Sequence, residues 1–431
     1  MTKPYAIASL VALAIACGSG PAEAKAQRRP AIAAAAQQAG ARFAALSARF
    51  IASLTRLSPV YATVLGEHRY DGQLPDITAA GRAAQNSEWR AILAQMNRIN
   101  RKALSRDNQV DFALLSNELR YQLWSSEVLQ DWAWNPQIYN DTAGGALYGL
   151  AARDFAGWDV RLKNATLRME ALPALLAETR RQLVPARVPK VMAETVAKQN
   201  GGIIDIADSM LAPHAGSLTG ADRARFDAAL AKLKLSVTEH QQWLDSVLVP
   251  QAKGEFRLGA KLYDEKMRFG LMSDITRPQL KALALKAKAE TRAEMYALSR
   301  RVLAGKTPGT PLPENPSAEQ QQAAIEAALA LSYAKRPDRA RLEQRARETT
   351  AEATAFVRAK GFIRMPDGPV QVITMPKFQQ GFAVAYSDSP GALERGLPNF
   401  YAVSPIPDEW SDEQATSFLR SEERRVGKEC W

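Results

Sequence analysis

The chain has 431 residues, a formal net charge of +11, 46% apolar and 23% charged residues, three histidines and two cysteines. A chain of this length can bury one large core or two smaller ones. No basic run is interleaved with aromatics in the way that marks a nucleic-acid surface, so that partner class is set aside.

The N-terminus has a basic start at Lys3, an apolar run from Tyr5 to Ala16 and a small-residue site at Ala22-Glu23-Ala24. That is the layout of a secretory signal peptide, residues 1–24, cleaved after Ala24; the apolar run is too short to span a bilayer. Export to the periplasm or medium is the expectation. The alternative is a lipoprotein anchored to the cell envelope through Cys17, although the Leu usual three residues before a lipidated Cys is missing. With Cys17 removed and Cys430 in an anomalous tail, the exported chain has no thiol for a disulfide or a metal. Its basic charge suits anionic lipid or cell-wall surfaces, though Arg and Ala spread over solvated helix faces are the blander account.

The Ala-rich stretch from Ala31 reads as the first helix of the exported chain. Phe43, Leu46, Phe50 and Leu54 form one apolar stripe, and Trp89, Ile92, Leu93, Met96 and Ile99 another. Phe226, Leu230, Leu233, Val237, His240, Leu244 and Val247 alternate steps of four and three, so this helix must bury a seam against a neighbour. Breaks are expected at Pro59, Pro185 to Pro189, Pro213 to Gly220 and Lys306 to Pro316. After Gly361 the pattern changes: 370–374, 382–386 and 400–403 are short β-branched or aromatic runs and read as strands. The expected fold is mostly α, a large helical body with a small β-sheet near the C-terminus. A further helix is expected to start with Ser411 as N-cap. From Arg420 to Trp431 the sequence resembles an in-frame translation of a short-read sequencing adapter, so residues 420–431 stay out of the fold reasoning and the helical domain is taken as 25–419.

A zinc site needs about three converging ligands, two of them usually one helical turn apart. His68, His214 and His240 do not supply that spacing; His240 reads as a satisfied seam residue and His214 as a solvated loop residue. No Gly-x-Ser-x-Gly elbow is present, and Gly305-Lys306-Thr307 is followed by Pro308, which spoils a phosphate loop. Residues 65–76 pack acid, base, imidazole and phenol between two helices, so His68, Tyr70 and Asp71 are candidate substrate-binding residues. The favoured reading of that segment is a hydrogen-bonded turn fixing the first helix pair, because Asp, Gly and Pro are ordinary turn formers. In the sheet, Tyr386, Phe400 and Tyr401 are candidates for a groove that holds an extended peptide by strand-edge hydrogen bonds, although such aromatics are more often core.

The run from Pro59 to Asp71, Tyr139, Leu150, Arg153-Asp154-Phe155, the run from Phe256 to Tyr263 and the close from Trp410 to Arg420 together resemble the bacterial domain-of-unknown-function family 885. The resemblance covers essentially the whole exported chain. It implies similarity to helical zinc metallopeptidases, in which the block here at Ser417 to Arg420 leads into a helix carrying His-Glu-x-x-Pro-Gly-His. That motif does not follow Arg420, so no catalytic or metal residue is carried over. The resemblance implies zinc and a peptide substrate for the intact protein, no cofactor in this chain, and an inactive N-terminal fragment of an exported metallopeptidase-like protein. A non-catalytic envelope protein that binds peptide or cell-wall material is the alternative.

Overall fold

The computed structural model describes residues 22–304, 312–333, 341–361, 363–365, 368–380, 383 and 385–405. The expectations for Cys17, Phe382, Val384, Ser411 and the 406–431 segment lie outside these residues. Helices follow one another through most of the chain: α1 (Ala22–Leu57), α2 (Pro59–Leu65), α3 (Ala79–Met96), α4 (Arg106–Trp124), α5 (Gln137–Ala152), α6 (Trp158–Gln182), α7 (Lys190–Gln199), α8 (Gly202–Ile206), α9 (Gly220–Trp243), α10 (Val249–Gln251), α11 (Gly259–Leu271), α12 (Arg277–Leu303), α13 (Ala318–Tyr333) and α14 (Leu342–Lys360). Helix α1 begins at Ala22 rather than Ala31 and runs through Ala24. The Pro213 to Gly220 break is less irregular than expected, because Ala212–Ser217 closes as a 3-10 turn before α9 starts. Among the described residues no helix is long and apolar enough to cross a membrane.

The chain divides into two compact units. The smaller holds, among the described residues, 22–50 and 91–116; in it Phe43 and Leu46 are buried, and the Phe43 ring lies 5.8 Å from that of Phe112.

The larger unit holds residues 51–90 and the described residues between 117 and 405. Its core joins Leu147 and Leu150 of α5, Leu162, Met169 and Leu172 of α6, Ile203 of α8, and Phe226, Leu233 and Val237 of α9. The seam read from the sequence is buried at Phe226, Leu233, Val237, His240 and Leu244, and a π-helical turn at Leu244–Leu248 carries it past the end of α9. Two long amphipathic helices close this way because each hides an apolar stripe from water.

Strands β1 (Val370–Thr374), β2 (Ala385–Asp388) and β3 (Asn399–Val403) form a sheet in the order β1-β3-β2. Strand β1 runs parallel to β3, pairing Val370 with Asn399, and β2 runs antiparallel to it, pairing Ala385 with Val403. Of the 382–386 run expected as the second strand, Ala385 and Tyr386 lie in β2, which extends to Asp388, while Phe382 and Val384 lie outside the described residues. One face packs Val372, Ala385 and Val403 on Ala346 of α14.

The link between β1 and β2 is pinned to the helices. Phe378, in a 3-10 turn at Lys377–Gln379, is buried against α5 and α8. Its carbonyl accepts from Asn140 Nδ2 at 3.1 Å, and Gln199 Nε2 donates to the Gln380 carbonyl. Gln199 Oε1 in turn accepts from Gln137 and Asn140, each at 3.0 Å. This buried amide cluster leaves few polar atoms unpaired and fixes where β2 lies against α5.

Candidate functional site

A cavity of about 630 Å³ opens in the larger unit. Its walls are α2 through Val60, Tyr61 and Val64, α5 through Asp141, Gly145, Tyr148, Gly149 and Ala152, and β2 through Tyr386, Ser387 and Asp388. On α5 those positions are spaced by helical turns, so one face of the helix looks into the cavity. Small residues at 145, 149 and 152 leave the room that larger side chains would fill. Its size is that of an ordinary small-ligand pocket, on the order of 300–1,000 Å³.

At one end, Arg153 is committed. It pairs with Asp388 Oδ1 at 2.9 Å, donates to the carbonyls of Asp388 and Pro398, and lies 4.0 Å over the Phe400 ring. Burial pushes the Asp388 carboxyl pKa up, and Arg153 only partly opposes it. At another wall, Asp141 is open to the cavity, yet the surrounding protein excludes enough water to raise its pKa as well; Gln137, donating at 2.8 Å, works against the rise. Burial also raises the phenol pKa values of Tyr148 and Tyr386, so both stay neutral hydrogen-bond donors at pH 7. Tyr386 Oη bonds Gln379 Oε1. The Tyr148 hydroxyl lies beside Tyr386, but among the described residues it meets no partner in hydrogen-bond geometry.

Of the residues singled out in the sequence, Tyr386 lines this cavity. Phe400 lines a second one, of about 440 Å³, with Gln371, Ile373 and Lys377. Tyr401 packs toward α14 with Val372 and Val403. His68 and Asp71 form a hydrogen-bonded turn in which Asp71 is buried and His68 half-buried: Asp71 takes His68 Nδ1 at 2.9 Å and Thr63 Oγ1 at 2.6 Å, and the imidazole stacks on Phe155 at 3.7 Å. Tyr70 is half-buried beside Arg69. The turn reading of residues 65–76 therefore describes their contacts, and Glu394, 3.6 Å from His68 Nε2, links the turn to the cavity wall. His214 is half-buried and stacks on Trp158 at 3.6 Å rather than lying in solvent. His240 is buried, as its place on the seam required, but its Nδ1 has no partner among the described residues, and burial pushes its pKa down to about 4. Among the described residues no three His, Cys, Asp or Glu side chains are grouped to hold a metal ion.

His68 yields a pH prediction. Burial by itself lowers its pKa, but the hydrogen bond and charge of Asp71, with Glu394, more than offset that and hold it above 6.5. A folded-state pKa above the unfolded one adds stability that is complete below the unfolded value and is lost as pH rises through the folded one. The urea midpoint is expected to fall as pH is raised from about 6 to about 8.5, and His68→Gln should flatten that part of the profile. An equal fall in the variant would show that another group carries it.

Asp141, Tyr148 and Asp388 were not recognised in the sequence, and Arg153 stood out only as part of a family block. The available signal was the row of small residues on α5 with Asp141 and Tyr148 seven positions apart, which has meaning only once the face turned to the cavity is known.

The model of a bacterial family of proteins of unknown function, DUF885, matches residues 59–426. The solved structure of a candidate lipoprotein of unknown function from Shewanella oneidensis is similar, with a TM-score of 0.66 and 27% identity over 88% of this chain and 67% of that one. A candidate lipoprotein from Colwellia psychrerythraea shares the fold, with a TM-score of 0.58 and 13% identity over 89% of this chain and 70% of that one. No curated protein matches the chain.

Proposed function

This chain belongs to the DUF885 family, and on that premise we propose that it is an envelope protein whose large cavity holds an extended peptide, and whose intact form hydrolyses that peptide with zinc. One observation carries the peptide reading. Strand β2 pairs only with β3 among the described residues, and its residues Tyr386 to Asp388 form a wall of the cavity. An extended peptide can add to such an edge through main-chain hydrogen bonds, while the cavity takes alternate side chains. Tyr148 offers a neutral donor that can meet a peptide carbonyl beside it, whereas the Tyr386 hydroxyl is engaged by Gln379. The likeness to two candidate lipoproteins supports the envelope location.

The residues described here do not fit a metal, so zinc ligands would have to come from sequence continuing past Leu419, where the family resemblance places His-Glu-x-x-Pro-Gly-His. The test compares this chain with one extended by the natural coding sequence after residue 419. After dialysis, the extended chain is expected to keep one zinc per molecule and to cleave members of a peptide mixture, with activity abolished by a chelator and restored by zinc; the chain ending at Trp431 is expected to keep none. An extended chain that holds no metal and cleaves nothing would remove the hydrolase part of the reading.

A further inference from the structure

The cavity carries the opposite charge to the chain around it. Although the protein is basic overall, five carboxyl groups line this space, Asp76, Asp131, Asp141, Asp388 and Glu394, against the guanidinium groups of Arg82 and Arg153. Both arginines are occupied: Arg153 by Asp388, and Arg82 by the Ile77 carbonyl and the face of Trp132 at 3.9 Å. The other acids have partners too. Asp76 accepts from the Thr78 backbone, Asp131 from Ser125, and Glu394 from Gly391 N while facing His68. Asp141 is different. Its one partner given by the structure is the neutral amide of Gln137, and among the described residues no cation pairs with it although it is open to the cavity.

A second group on the same helix has hydrogen-bonding capacity unused among the described residues. Tyr148 is 8% exposed and lines the cavity, and its hydroxyl, beside Tyr386, meets no partner in hydrogen-bond geometry among the described residues. It stands seven residues after Asp141, about 10 Å along the axis at ~1.5 Å per residue. That span matches about three residues of extended peptide at ~3.4 Å each.

We propose that Asp141 selects a cationic group on the ligand, an ammonium or guanidinium, while Tyr148 donates a hydrogen bond to a carbonyl about three residues away. This rests on the peptide reading of the cavity. A carboxylate that lines a cavity and faces only a neutral amide gains from a ligand cation, because a ligand seated there displaces water and the pair is then screened less than at an open surface. The cation could be a peptide's amino terminus or a basic side chain, and the two sources are separable.

Calorimetric titration of the full chain at pH 7 with Ala-Ala-Ala-amide, its N-acetyl form, and N-acetyl-Lys-Ala-Ala-amide tests this, with butylammonium chloride as a cation probe free of peptide. At least one amine-bearing peptide is expected to bind about tenfold more tightly than the neutral one, a difference that Asp141→Asn and Asp141→Ser abolish while leaving the thermal midpoint unchanged. Preference for the first peptide alone identifies the amino terminus, and preference for the third a side chain. Equal binding of all three, or a preference that survives both substitutions, would overturn the assignment to Asp141 while leaving the peptide reading intact. Butylammonium binding that requires Asp141, with no peptide bound, would keep the inference and sink the peptide reading. No binding of any probe would remove both.

Discussion

Replacing Arg168 with leucine is expected to be among the most destabilising single changes in the larger unit. The residue is wholly buried. Its guanidinium donates to the carbonyls of Gln73 at 3.1 Å, Ala146 at 2.8 Å and Pro59 at 3.2 Å, and to Thr63 Oγ1 at 2.8 Å. Burial lowers its pKa to about 10, with the Asp71 carboxylate opposing that, so it remains charged at pH 7. Truncating the hub of such a network leaves several buried acceptors unmet at once, which costs about 3–5 kcal/mol in total. Spread over a domain of this size, that is a fall of about 5 °C in thermal midpoint. Arg168→Lys should recover only part of it, since an ammonium cannot reach carbonyls on three sides as a planar guanidinium does. A leucine variant that melts with the wild type would show that the guanidinium does not tie α2, the 65–76 turn and α5 to α6.

The second large effect concerns the turn that positions the sheet. A Cβ on Gly202 would lie 2.5 Å from Phe378 N and 3.1 Å from the Lys377 carbonyl carbon, and one on Gly144 would lie 2.2 Å from the Phe378 ring. At Gly202 the obstacle is backbone, which cannot rotate aside. Gly202→Ala is expected to cost about 1–3 kcal/mol by urea unfolding and to open residues 375–380 to limited proteolysis. The neighbouring Gly201 is the control, because a Cβ there meets nothing within 4 Å; Gly201→Ala should stay within about 0.5 kcal/mol of the wild type. If both variants behaved alike, Phe378 would not be seated against α8 as described. Because the same turn leads into β2, the Gly202 variant should also weaken peptide binding in the cavity.

These two cases mark what could be read from the residues. The α9 seam and the three strands were legible because a helix shows its buried face every three or four positions, and a short run of β-branched residues between turn formers has few alternatives. Arg168 was not legible: among Arg161, Lys163 and Glu170 it looks like one more charge on a solvated helix, and only the arrival of three carbonyls from distant segments makes it a core residue. The 65–76 segment was legible as a turn but not in the pairing of buried Asp71 with His68 and Thr63, because the Asp71 partnership with Thr63 depends on how α2 packs. The cavity was legible only at Tyr386. Asp141 and Tyr148 lie in a helix whose apolar neighbours Ala143, Leu147 and Leu150 announce burial, and no local pattern says which polar residue faces a void.

Photo-crosslinking tests most directly whether the cavity beside β2 is where a peptide lies. A short peptide bearing a benzophenone side chain is bound to the full chain, irradiated, digested and mapped by mass spectrometry. The predicted result is label on β2 at residues 385–388 or on the α5 face from Asp141 to Ala152, suppressed by excess unlabelled peptide. Competable label confined to other surfaces, or label that excess peptide does not displace, would contradict the account.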